Sequence, residues 1–338
     1  MNELPKSKAL VAAESASLPA VETRPSAGTV VPAIVAAAGD KAMRRYLEFF
    51  AVTIDNPNTR AAYFHACRRF FAWCDPREDI EELADIEPMH VAAYIRALGK
   101  DFEKPTVKQH LAAIRMMFDW LVTGQVVATN PAHAVRGPKH VVKTGKTTVL
   151  TGEQARELIN SIDVSTLVGL RDRALIAVMT FAFARIGAVV GMRVEDYFPK
   201  GKRWWVRLHE KGGKVHEMPA HHTLEAYLDA SIEAAKIRDD GKAPLFRSAV
   251  GRTGVLTEKP MHRVDAWRMV QRRAADLGTR VRIGCHTFRA TGITAYLEAG
   301  GTLENAQAMA AHESPRTTKL YDRTGEEITL DEVERIVI

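Results

Sequence analysis

The sequence predicts a mainly α, α+β chain in two parts, a helical bundle followed by a mixed half with a small antiparallel sheet. Apolar residues recur at helical spacing from Lys41 to about Val127. The run Trp204-Trp-Val-Arg-Leu, then Lys211-Gly-Gly-Lys214, then Val215-His-Glu-Met, has the alternation and the Gly-Gly turn of a β-hairpin. Helical patterning resumes after Thr223 and dominates to the end. With 338 residues, 46% hydrophobic and 26% charged, the chain suits two domains and is too apolar to be wholly disordered.

Taken in order, residues 1–40 are rich in Ala, Val, Ser and Pro without periodicity and are expected to be a flexible tail. Residues 41–135 are expected to form the helical domain. Thr59 is the expected cap of a helix with Tyr63, Ala66, Cys67, Phe70, Phe71 and Cys74 inside, and Arg60, His65, Arg68 and Arg69 outside. A helix from Thr106 to Val122 follows Pro105, with Val107, Leu111, Ile114, Phe118 and Leu121 as its core stripe and Lys108 and Arg115 off it. Asn130-Pro131 and Gly137-Pro138 end this pattern. Residues 136–150 read as a basic linker, which either follows a phosphate backbone or is simply solvated.

Residues 151–338 form the second domain. Thr151-Gly-Glu-Gln opens a helix reaching about Ile162, and Arg171–Gly191 reads as one strongly apolar helical stretch before the hairpin. Thr329-x-x-Glu332 is a capping box, so residues 330–338 are expected to be a short amphipathic helix.

Composition excludes several classes. Cys67, Cys74 and Cys285 are too few and too far apart for a disulfide framework or a zinc site, which suggests a reducing compartment. The longest nearly uncharged apolar run, Val30–Gly39, is about half a membrane span, and no signal-peptide pattern precedes it. The net charge of +6 is a weak pointer to a polyanion, but its distribution is more telling. Residues 322–338 hold six acids and two bases, a net of −4, so the other residues carry +10. Asp75–Glu87 holds seven acids and one arginine, whereas Arg136–Lys146 holds four bases and no acid.

Chemistry-bearing residues stand at five places in the second half. Arg185 interrupts the apolar run Ala174–Val190, where an unpaired guanidinium would be expensive, and no acid lies within two helical turns. Lys211 and Lys214 flank the hairpin turn. His286-x-x-Arg289 places two side chains on one helical face. His312 sits at a helix-to-loop break, and Tyr321 follows nine residues later. Singly, each has an ordinary structural reading: an internal ion pair, solvated turn lysines, a core histidine, a packed tyrosine.

Their order has no such ordinary reading. Arg185, the hairpin lysine, Cys285-His-Thr-Phe-Arg-Ala-Thr-Gly-Ile-Thr and His312-Glu-Ser-Pro-Arg-Thr-Thr-Lys-Leu-Tyr321 closely resemble the tyrosine recombinase (phage integrase) family. The resemblance spans about residues 41–325. It implies a SAM-like helical core-binding domain and a catalytic domain of the DNA breaking-rejoining fold. It also departs from the family at three positions: Ala188 stands where an acid is usual, and Phe183 and Ala311 where glycine is often found.

The resemblance implies a site-specific DNA recombinase, serving integration, excision or resolution for a mobile element or chromosome. Tyr321 would attack the scissile phosphate to give a 3′-phosphotyrosyl link and a free 5′-hydroxyl. Arg185 and Arg289 would hold the non-bridging oxygens as planar forks of donors, with a further bond from His312. His286 would take the phenolic proton or position the tyrosine. Lys211 is the expected general acid, with Lys214 the alternative. No metal, nucleotide or other cofactor is expected: the cations already form a clamp, there is no P-loop, and His216, His221 and His222 fit no metal spacing.

Double-stranded DNA carrying specific sites is the expected partner, contacted also by Arg60, Arg68, Lys108, Arg115 and Lys139. Self-association as a tetramer on two sites is expected, with accessory proteins possible, no membrane, and a cytoplasmic, nucleoid-associated location. The terminal helix is expected to dock either on its own subunit or on a neighbour. Two other readings share these residues: a DNA-binding architectural or regulatory protein with weak catalysis, which Ala188 favours, and a type IB topoisomerase-like enzyme.

Overall fold

A computed structural model describes residues 31–142, 145–210, 212–251, 253–276 and 283–322. Lys211, residues 1–30 of the expected tail and the expected helix 330–338 lie outside the described residues. The chain divides into two compact units, Met1–Val141 and Val142–Ile338.

The first unit is helical: α1 (Ala33–Ala37), α2 (Asp40–Val52), α3 (Pro57–Cys74), α4 (Pro88–Asp101) and α5 (Lys104–Thr123). Helix α5 is central and packs against α2, α3 and α4. All five residues of its expected stripe are buried. The inner face of α3 is as expected, except that Tyr63 is only half-buried. Its cap is Asn56 rather than Thr59. The Asn56 side chain accepts from Asn58 N and Thr59 N, which moves the start back to Pro57, a residue whose fixed φ and missing N–H suit a first turn. The core is aromatic, with Tyr46, Phe50, Phe70, Phe71 and Phe118 meeting mostly edge to face. Ile34 and Val35 are buried in it, so the last residues of the expected tail are ordered by apolar burial.

The second unit begins with α6 (Gly152–Asn160), α7 (Leu167–Phe181) and α8 (Ile186–Val190). The expected single helix Arg171–Gly191 is therefore two. Phe183, at φ 48°, sits in the left-handed region and ends the first piece. Apolar periodicity cannot register such a break, because Ala182, Phe183, Ala184 and Ala188 are buried on both sides of it.

An antiparallel sheet follows in the order β1-β2-β3, formed by β1 (Tyr197–Lys200), β2 (Arg203–His209) and β3 (Val215–Pro219). Gly212 and Gly213, at φ 80° and 76°, give the β2–β3 turn the backbone that only glycine adopts freely. Strand β1 was not expected; its Pro199 lies on an edge strand, where a missing N–H is tolerated. After α9 (His222–Ala235) comes a second hairpin, β4 (Arg247–Ala249) with β5 (Leu256–Pro260), within a region expected to be helical. The chain continues through α10 (Arg263–Asp276), α11 (Cys285–Glu298), α12 (Leu303–Met309) and α13 (Pro315–Lys319).

Helix α7 is the spine of this unit and packs against α9 and α11. Its fully buried Asp172 binds Arg171 at 2.6 Å and Arg273 of α10 at 2.8 Å, while Arg171 donates to the Arg247 carbonyl of β4. These bonds satisfy a charge that would otherwise be costly to bury. Gly292 of α11 lies directly against α7, where a Cβ would run into the Thr180 carbonyl oxygen.

Candidate active site

Four of the expected residues converge where α11, the end of α12 and the segment after α13 meet. His286 and Arg289 lie one turn apart at the start of α11. Tyr321 follows α13, and its backbone is fixed twice: its N–H donates to the Thr318 carbonyl, and the Thr294 hydroxyl of α11 donates to its carbonyl at 2.9 Å. Its hydroxyl oxygen lies 2.7 Å from His286 Nε2. The His312 ring stacks on the Tyr321 ring at 5.8 Å between centroids and 9° between planes. Thr318 Oγ1, 2.9 Å from His312 Nδ1, holds that ring and leaves Nε2 for a ligand.

Arg289 is only 1% exposed, an unusual depth for a guanidinium. It donates to the Phe183 carbonyl and, at 2.6 Å, to the Ala310 carbonyl. Those two carbonyls lie at the C-terminal ends of α7 and α12, where left-handed residues terminate both helices. Ala311 has φ 47°, and the bonds from Ala311 N to Ala308 O and from His312 N to Gln307 O complete a Schellman motif. The two left-handed positions, 183 and 311, are those where the family resemblance leads one to expect glycine. Here a phenylalanine and an alanine bear the strain.

Arg185 stands at the N-cap of α8 in extended backbone, not within a helix. Its Nη1 donates to Glu210 Oε2 at 2.5 Å. Arg185, Glu210, Gly212, Lys214, Ala311, His312 and Thr317 line a cleft of ≈ 300 Å³. Lys214 reaches Glu313, on the segment after α12, at 2.9 Å and remains more than half exposed.

The electrostatics match this geometry. Burial, then the charges of Arg289 and Arg185, lowers the His286 pKa below its ordinary 6.5. The same three causes, in the same order, push His312 down to about 3. Burial raises the Tyr321 phenol, and Arg289 and Arg185 oppose that rise. Arg289 itself is pushed down to about 10, first by burial and then by Arg185, while Glu210 offsets part of the shift. At neutral pH both histidines are uncharged and the tyrosine is protonated, so a neutral imidazole sits against a phenol beside two guanidinium groups. Cys285, adjacent to His286, is buried with its thiol pushed up to about 11, which leaves it a poor nucleophile.

The residues expected to touch DNA from the first unit are differently placed. Arg68, Lys108 and Lys139 are exposed. Arg60 donates twice to the Ile54 carbonyl, and Arg115 staples the chain after α5 by donating to the Ala132 and Val135 carbonyls. Of the three clustered histidines, His221 caps α9 through Thr223 N and stacks on Phe181 at 4.5 Å. Among the described residues no group of three or more His, Cys, Asp or Glu could hold a metal ion, and no helix is long and apolar enough to cross a membrane.

Sequence reasoning missed Glu210 and the two threonines. Glu210 is 25 residues from Arg185, beyond any periodic pattern, whereas Thr318, three residues before Tyr321, could have been found from its spacing.

Residues 148–327 match the phage integrase family, and residues 43–125 match the phage integrase N-terminal SAM-like domain. The tyrosine recombinase XerD of Chlorobaculum tepidum is 27% identical over 276 residues, covering 78% of this chain and 85% of that one. Among solved structures, XerH site-specific recombinase bound to its difH substrate in a pre-cleavage complex superposes with a TM-score of 0.60 at 16% identity, covering 82% of this chain and 78% of that one. A lambda integrase tetramer bound to a Holliday junction gives a TM-score of 0.62 at 18% identity, covering 85% of this chain and 79% of that one. These two structures share the fold. The catalytic match spans more than half of the sequence and includes Arg185, His286, Arg289, His312 and Tyr321, and the chain belongs to the phage integrase family.

Proposed function

We propose that the protein is a site-specific DNA recombinase that cuts and rejoins strands through Tyr321. The observation that carries this reading is the 2.7 Å contact between the Tyr321 hydroxyl and His286, set beside the guanidinium groups of Arg185 and Arg289. A phenol is about one part in 10³ ionised at neutral pH, and burial lowers that fraction further, so its proton must leave as it attacks. In its Nδ1–H tautomer, His286 accepts that proton at Nε2.

The phenolic oxygen bonds to phosphorus and the bond to the 5′-oxygen breaks, leaving a 3′-phosphotyrosyl link. Arg185, Arg289 and the free nitrogen of His312 bind the non-bridging oxygens, where charge grows in the transition state. The departing 5′-oxygen takes a proton from a lysine of the β2–β3 turn, Lys211 or, with its ammonium at the cleft, Lys214. Rejoining runs the same steps backwards from another strand's 5′-hydroxyl. The phosphodiester energy is conserved and no nucleotide is consumed.

Arg68, Lys108 and Lys139 of the helical unit are proposed to contact the DNA backbone, because their ammonium and guanidinium groups are exposed. Arg60 and Arg115 contribute less, since both are engaged with carbonyls. Assembly as a tetramer on two sites is proposed by analogy with the lambda integrase tetramer on a Holliday junction, and a cytoplasmic, nucleoid-associated location follows from a chromosomal or mobile-element substrate.

The test is a plasmid carrying two copies of the site recovered from the flanks of the gene. Recombination between them that vanishes with Tyr321→Phe supports the proposal. Supercoil relaxation without sequence preference favours the topoisomerase-like reading, and tight binding with no strand exchange favours the architectural one.

A further inference from the structure

Ala188, one turn after Arg185, leaves α8 without a carboxylate on the face that would support that arginine, yet Arg185 is not unsupported. Glu210 reaches it from the β2–β3 turn at 2.5 Å. Both line the cleft, but the Glu210 side chain is only 4% exposed whereas that of Arg185 is 37% exposed, so the acid is the buried end of the pair and the guanidinium its open end. No other cation among the described residues pairs with Glu210. A carboxylate that deep persists only with a fixed partner. The Glu210 N–H donates to the Lys214 carbonyl at 2.7 Å, closing the turn that ends at Lys214.

We propose that Glu210 is the positioning residue for Arg185, fixing its guanidinium in the cleft and tying the lysine-bearing turn to the start of α8. The proposal rests on the phosphoryl-transfer reading of the site and extends it. Glu210 holds one edge of the planar fork, so the remaining donors are pre-aimed at a phosphate. Its negative charge also offsets the repulsion between Arg185 and the buried Arg289. The pair thus joins two elements that each carry part of the phosphate-binding machinery.

The test has two arms. In the DNA-free full chain, side-chain ¹⁵N NMR of arginine, with Arg185 assigned from Arg185→Lys, should show hindered rotation of the Arg185 guanidinium. Freely averaging Nη signals in the wild type overturn the proposal whether or not any variant folds. In Glu210→Gln, which keeps the shape and removes the charge, that order should be weakened; a guanidinium as hindered as in the wild type would overturn the proposal.

In the second arm, single-turnover cleavage of a nicked site by Glu210→Gln should fall by about 10- to 100-fold. The loss should largely disappear when both enzymes carry Arg185→Lys, as it must if Glu210 acts through Arg185. Unchanged or faster cleavage by Glu210→Gln, the behaviour of an acid that merely competes with phosphate, overturns the proposal, as does a loss fully additive with Arg185→Lys. If the wild type cleaves no genuine site, the recombinase reading fails, and the NMR arm still decides whether Glu210 orders Arg185.

Discussion

His286 and Tyr321 illustrate how environment, not residue type, sets the chemistry. An ordinary imidazole is half-charged near pH 6.5 and would then donate to the phenol rather than accept its proton. Burial together with Arg289 and Arg185 lowers the His286 pKa, so the neutral, accepting form persists below pH 6.5. Under subsaturating DNA, where the rate reports the free enzyme, the cleavage rate should therefore hold as pH falls through 6.5 and decline only below it. A half-maximal point at or above pH 6.5 on the acid limb would contradict this assignment. At this scale the sequence was informative for the residues proposed to act directly: Arg185, His286, Arg289, His312 and Tyr321 were each marked by type and order. It was silent on Glu210 and Thr294, because their roles are created by tertiary proximity across 25 and 27 residues.

Helix ends do the positioning at the scale of elements. Helices α7 and α12 each stop at a left-handed residue, and carbonyls at those stops hold the Arg289 guanidinium. A non-glycine residue there costs roughly 1–2 kcal/mol, of which glycine recovers most while adding about 0.5–1 kcal/mol of chain entropy cost. Ala311→Gly should accordingly leave stability unchanged or raise it by up to about 1 kcal/mol, read as a melting temperature equal to or a few degrees above wild type. Phe183→Gly is a poorer test because Phe183 is also buried in the small cluster around Tyr321.

Gly292→Ala should do the reverse. The added methyl meets the Thr180 carbonyl, forces α11 from α7, and should cost about 1–3 kcal/mol while reducing cleavage, since His286 and Arg289 ride on the same helix. Unaltered melting and cleavage in that variant would show that the α7–α11 approach is not what places the site. The helix break at residues 182–185 was illegible because buried apolar residues, Ala182, Phe183, Ala184 and Ala188, continue across it on both sides of Arg185. The β4–β5 hairpin was illegible because its three- and five-residue strands carry too few residues to set a period.

For the whole molecule, the +6 net charge becomes informative once divided: residues 1–321 carry +10 and residues 322–338 carry −4. Domain order and fold class were legible because apolar spacing over tens of residues averages out local errors, whereas the helix at Ala33–Ala37 was hidden in an Ala- and Pro-rich stretch without a period. A protein that grips DNA through about six or more cations should lose at least about 10³-fold in affinity between 50 and 200 mM salt. A loss below tenfold in equilibrium binding would mean that the exposed lysines and arginines do not meet phosphates.

If Tyr321 is the nucleophile, it becomes bonded to DNA during cleavage, and that bond can be captured. The full chain is incubated with a nicked suicide duplex of its own site, digested, and the DNA-linked peptide sequenced by mass spectrometry. The expected result is a 3′-phosphate carried on Tyr321, with none in Tyr321→Phe. A covalent link at any other residue, or strand exchange on that site with no covalent protein, would contradict it.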